Sequence, residues 1–185
     1  MYKRQSQKSL RGKASECAAI ITDASTQTEY FVESERAGVL DLGTPKRTVM
    51  VRFRTTKAGT LISSAPSHGR WKPNGKTLFL RGDEVVFDIG WVGALSGKTD
   101  VRDGKWHVAA VVITEAQTKL FIDGKLLGTR QEFHRPHTTG HVLKIGSTAT
   151  DFGGNFQGDI EWVRIFKGAM SIDELHTLTS TKQPY

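Results

Sequence analysis

The sequence predicts an all-β chain: two antiparallel sheets packed face to face, with one short helix near the C-terminus. Three observations carry that expectation. Nearly every apolar cluster repeats with period two, the period of a strand. Turn signals recur about every 8–12 residues, as in two-sheet sandwiches. Only one segment carries a helix start signal.

Taken in order, the strongest strand is 47–54, where Val49, Val51 and Phe53 fall on one face and Thr48, Met50, Arg52 and Arg54 on the other. Residues 59–63 and 77–81 read as shorter strands. In 83–89 the alternation places Val85, Phe87 and Ile89 inward, with Glu84 and Asp88 opposite. Residues 106–113 are apolar on both faces, as expected of a central strand covered on each side. Residues 119–122 run into Asp123-Gly124 and on to 125–127. Asp-Gly between alternating apolar residues is a type I′ hairpin signal, because both central positions need positive φ. Residues 142–145 and 158–166 complete the set, for about ten to twelve strands in all. The helix is expected over about 172–178, because Ser171-Ile-Asp-Glu174 has the spacing of a capping box.

The 185 residues are the size of one domain, and 37% hydrophobic residues supply a core. The net charge is +7, but Lys3, Arg4, Lys8, Arg11 and Lys13 stand in residues 1–13 without an acid. Beyond them, 21 basic groups face 19 acidic ones, so the body is near neutral and the basicity belongs to a tail. Residues 1–18 are therefore expected to form a basic, loose N-terminal arm, 19–178 the domain and 179–185 a tail. A nucleic-acid role would rest on that arm alone, and none is expected. No apolar run reaches the ~18–20 residues that cross a bilayer, and no apolar stretch follows the basic start, so neither a membrane span nor a signal peptide is expected. Cys17 is the only cysteine, which excludes an internal disulfide.

Candidate ligand contacts fall in two groups. On strand 158–166, Trp162 and Arg164 share the face opposite the core; an indole beside a guanidinium suits a sugar ring. The plainer alternative is that the N-terminal segment or the closing helix covers Trp162. Arg52, Arg54, Glu84 and Asp88 would join them if their strands are neighbours in one sheet, although cross-strand charge pairs also simply solvate a sheet face. The second group is in loops: Trp91 among glycines 90–97 and Trp71 in 67–76 are either stacking platforms or plugs over the sandwich end. Trp106 is read as a packing anchor. Gly93–Thr99 imitates a phosphate-binding loop but has three residues where four are needed, and no helix follows. His134, His137 and His141 cluster around Pro136 without a carboxylate at ligand spacing, and are read as loop histidines.

The ordered series Asp103-Gly-Lys-Trp-His107, Leu120-Phe-Ile-Asp-Gly-Lys-Leu126, Leu143-Lys-Ile-Gly146, Phe156–Phe166 and Ala169–Leu175, preceded by Tyr30–Glu33, Val39–Gly43 and Gly59–Ser63, resembles laminin-G-like domains of the concanavalin A-like lectin/glucanase superfamily. The resemblance implies a jelly roll, and a non-catalytic module that recognises carbohydrate or a glycosylated or extracellular protein, often beside further domains of a longer polypeptide. It suggests an extracellular or envelope-facing location. It also leaves two alternatives, a glucanase or lyase on the same fold, and a structural spacer. The Glu-x-Asp-x-x-Glu pattern of retaining glucanases does not occur. Related jelly rolls often hold one structural calcium ion; Asp151, Asn155, Asp159 and Glu161 are oxygen donors near the right strand, with no ligand set assigned.

Overall fold

A computed structural model describes residues 17–21, 31–32 and 41–180. The basic stretch 1–13 and residues 181–185 lie outside the described residues. Among the described residues there are twelve strands: β1 (Cys17–Ile21), β2 (Phe31–Val32), β3 (Arg47–Thr55), β4 (Gly59–Pro66), β5 (Lys76–Arg81), β6 (Glu84–Ile89), β7 (Gly93–Lys98), β8 (His107–Ile113), β9 (Gln117–Ile122), β10 (Lys125–Gln131), β11 (His141–Ile145) and β12 (Gly158–Lys167), followed by helix α1 (Ile172–Ser180). They form two six-stranded antiparallel sheets, β1-β12-β3-β8-β9-β10 (sheet A) and β2-β11-β4-β5-β6-β7 (sheet B). The jelly-roll expectation holds.

The alternation read from the sequence builds the space between the sheets. Val49, Val51, Phe53, Val85, Phe87, Ile89, Val111, Leu120, Val163 and Ile165 meet there in one buried cluster. β12 keeps its phase by a bulge: the pairing with β3 shifts between Ile160 and Trp162, so Ile160 joins Val163 and Ile165 inside while Trp162 pairs with Arg52. Asp123 and Gly124 both take positive φ, 49° and 79°, as the hairpin signal requires.

Both sheets also bury part of their outer faces. On sheet A, Met50, Val108, Ala110, Val112, Phe121 and Phe166 pack under Leu175 of α1, with Trp162, Met170 and Leu178 at the margin. The capping box is formed: the Ser171 amide donates to Glu174 Oε2 at 2.8 Å and the Glu174 amide to Ser171 Oγ at 3.3 Å. At one end, Lys76 and Asp41 are wholly buried, with Nζ donating to Asp41 Oδ1 at 3.0 Å and to the Pro136 carbonyl at 2.8 Å. Burial pushes the Lys76 ammonium down from its ordinary value, and Asp41 opposes that shift.

β7 is a strand where the sequence reads as a glycine-rich loop. It pairs with β6 along its length, and a side chain at Gly97 would stand 2.5 Å from Leu127 Cβ of β10, so small residues are needed where the two sheets meet at this edge.

Candidate functional site

The two groups of candidates lie on opposite sides of the sandwich. Arg52, Trp162 and Arg164 are on the outer face of sheet A, in β3 and β12, whereas β6 and Asp88 belong to sheet B. The condition that would have placed Asp88 beside Trp162 therefore fails. β3 and β12 lie in one sheet and β6 in the other, across the core.

On sheet A, charges and rings are matched to one another. Arg52 pairs with Glu161 and Arg54 with Asp159. Both guanidinium groups also stand over the Trp106 ring, at 5.2 and 5.0 Å from its centroid, and Arg164 stands 4.3 Å from that of Trp162. Trp162 is half-buried against the cluster that includes Leu175 of α1. Trp106 is half-buried under Arg52 and Arg54 and does not enter the core between the sheets.

The loop tryptophans, distant in sequence, come together. Trp71 and Trp91 line one hollow of about 610 Å³ with Arg70, Lys72, Pro73, Asp151 and Phe152. Trp71 is half-buried and clamped: its ring stacks on Phe152 at 4.7 Å, and its amide donates to Asp151 Oδ1 at 2.7 Å. Glycines make the clamp fit. A side chain at Gly90 would stand 2.7 Å from both Trp71 Nε1 and the Lys72 carbonyl, and the Gly90 and Asn74 amides bond across to Gly75 and Gly90 carbonyls at 2.7 and 3.0 Å.

Gly90 is thus fixed by the crossing loop, and its neighbour takes the strained position. The Val92 amide closes a turn onto the Ile89 carbonyl at 2.9 Å, with Trp91 third at φ 63°. Positive φ at that position ordinarily calls for glycine or asparagine. Trp91 is also 73% exposed, more than any other large apolar side chain among the described residues. Two unfavourable features coincide on one residue: a bulky side chain in left-handed backbone, and an indole surface left in water.

The opposite wall is equally rigid. Hydroxyls of Ser147, Thr148 and Thr150 accept from the amides of Ala149, Thr150 and Phe152 at 2.8, 3.2 and 3.3 Å, and the Asp151 amide donates to the Gly69 carbonyl at 2.9 Å. This run of hydroxyls ending in Asp151-Phe152-Gly153-Gly154 is the signal for a ring presented on a built turn. Arg70, Lys72 and Phe152 were missed in the sequence because nothing local marks them as neighbours of Trp91. Asp88 lies on the outer face of sheet B, paired with Thr77 and Ala94. Burial pushes its carboxyl up to about 6, opposed by Arg81 and Arg130.

Three of the oxygen donors considered for calcium have protein partners. Asp159 and Glu161 are engaged by arginines, and Asp151 Oδ1 by the Trp71 amide. Among the described residues, no group of three or more His, Cys, Asp or Glu side chains is arranged to hold a metal ion. His134 Nε2 lies 3.2 Å from the Glu115 carbonyl, while His137 and His141 bury Nδ1 atoms without a partner. Among the described residues no helix is long and apolar enough to cross a membrane.

A family model described as the concanavalin A-like lectin/glucanases superfamily matches residues 48–176. No curated protein matches the chain in sequence. Among solved structures, the chain is similar to the CBM40 module of the Ruminococcus gnavus IT-sialidase bound to alpha2,3-sialyllactose, at 20% identity and a TM-score of 0.71, covering 90% of this chain and 98% of that one. It is also similar to domain 4 of an extracellular arabinanase from Geobacillus stearothermophilus in complex with arabinotriose, at 15% identity and a TM-score of 0.63, covering 92% and 91%. A leech intramolecular trans-sialidase matches at 16% identity and a TM-score of 0.71, over 91% of this chain and 28% of that one.

Proposed function

The chain belongs to the concanavalin A-like lectin/glucanases superfamily, and from that premise we propose that it is a non-catalytic carbohydrate-recognition module whose site is the hollow between Trp71 and Trp91. The observation that carries this reading is Trp91, held in left-handed backbone with its ring exposed. Packing within the chain leaves the ring uncovered, whereas a sugar laid on it covers the apolar surface. Sugars present a C–H face that stacks on an indole and hydroxyls that accept from cations, and Arg70 and Lys72 stand at the rim. Clamping of both walls by backbone hydrogen bonds supports the reading, because a site fixed beforehand loses less entropy on binding. Two of the similar structures named above were solved with sialyllactose and arabinotriose bound, which supports a glycan as the ligand. A non-catalytic role is supported by the engagement of Glu161 and Asp159 with arginines.

The test is a glycan array spanning sialylated and neutral arabino-oligosaccharides, with Trp91→Ala alongside. Loss of at least tenfold in affinity, on the order of 1.4 kcal/mol, is expected with the melting temperature nearly unchanged, since the lost ring is exposed and alanine keeps the same backbone strain. Retention of full affinity by Trp91→Ala sinks the reading.

A further inference from the structure

A second hollow, of about 400 Å³, adjoins the first and is lined by Ala58, Gly59, Phe79, Arg81, Phe152 and Gly154 among others. Phe152 lines both. Its ring stacks on Trp71 at 4.7 Å on one side and meets Phe79 edge-on at 5.7 Å on the other. The outer side of sheet B thus carries a line of aromatic rings, from the exposed Trp91 past the half-buried Trp71 and Phe152 to Phe79, which is largely buried at the floor of the second hollow.

The second hollow is open by construction. Gly82 and Gly154 have nothing within 4 Å of where a side chain would begin, so no neighbour fills the space that glycine leaves there. Arg81 stands at this hollow with a largely exposed side chain, tied only at its edge to Glu84 at 2.9 Å. Each hollow therefore offers the same chemistry: an aromatic wall and a guanidinium or ammonium donor. A single sugar satisfies one set and leaves the other in water.

From this repetition we infer that the ligand is an oligosaccharide chain laid across Phe152, with one sugar unit against Trp91 and Trp71 and another against Phe79 and Arg81. The inference rests on the reading of the Trp71–Trp91 hollow as the glycan site and extends it from one sugar to several. Phe152 acts as the ridge between two subsites, and Arg81 is a specificity-determining residue of the second.

Titration calorimetry of the full chain with two matched pairs tests it: sialic acid against alpha2,3-sialyllactose, and arabinose against arabinotriose. The trisaccharide of at least one pair is expected to bind at least tenfold more tightly than its monosaccharide. Gly154→Trp, which fills the second hollow, and Arg81→Ala, which removes its cation, are each expected to bring the trisaccharide down to the affinity of the monosaccharide. Gly154 is outside the left-handed region and its carbonyl still accepts from the Thr60 amide at 2.9 Å, so the larger side chain leaves that backbone bond in place. Should Gly154→Trp fail to fold, Arg81→Ala decides alone, since an exposed ion pair contributes little to stability. Equal affinities within both pairs, or trisaccharide binding unmoved by these variants, overturn the two-subsite inference while the Trp91 site stands. Failure of all four sugars to bind overturns both.

Discussion

Asp88 shows how one side chain on the sheet B side responds to solution conditions. With its carboxyl pushed up to about 6, chiefly by burial, the folded chain keeps a proton that the unfolded chain releases near the ordinary value of 3.8. Native protein binds more protons over that window, so this group's contribution to stability is complete below the ordinary value and is lost as pH rises through about 6. Asp88→Asn is accordingly expected to raise the melting temperature at about pH 7.5 and leave it near wild type at about pH 4. An equal shift at both pH values would remove charge burial as the cause. The sequence placed Asp88 on the outward row of its strand and Trp91 in an exposed turn, and both positions hold. It could not show the left-handed backbone at Trp91, nor the crowding of Gly90 by Trp71 and Lys72, because nothing local marks the 67–75 loop as its neighbour.

Helix α1 is the element whose role changed most between sequence and structure. Its start was legible from Ser171 and Glu174, since capping is a local interaction. Its purpose was not, because the apolar outer row of β8 reads from sequence only as a strand covered on both sides. The cover is Leu175, wholly buried over Met50, Ala110 and Phe121. Leu175→Ala is expected to cost about 2–4 kcal/mol, read as a lower urea midpoint with an unchanged slope, and to leave glycan affinity intact. A loss much below that would mean the helix merely rests on the sheet. β7 was illegible for the opposite reason: Gly93-Ala-Leu-Ser-Gly97 has neither β-branched residues nor clear alternation. It becomes a strand because β6 pairs with it and Leu127 needs the room at Gly97.

At the scale of the whole molecule, the sandwich divides its two exteriors between different tasks. Sheet A carries matched charges and a helix; sheet B carries the hollows. Trp162→Ala is therefore expected to lower stability by about 1–2 kcal/mol, below the 3–5 of a fully buried indole, with no change in glycan affinity. The reverse result, weakened binding at an unmoved melting temperature, would move the site to sheet A. Which strands share a sheet was the part of the architecture that alternation could not supply, since period two says which way a residue faces but not which strand lies beside it.

The pairing of β3 with β8 and β12 has a consequence for how the protein is made. While it emerges from the ribosome, β3 has an unmatched edge and a bare apolar back until β12, far downstream, has been translated. Final closure must then come late and from distant partners, a slow route that leaves nascent chains prone to sticking. Premature termination ahead of residue 158 would yield insoluble fragments, not a smaller folded domain.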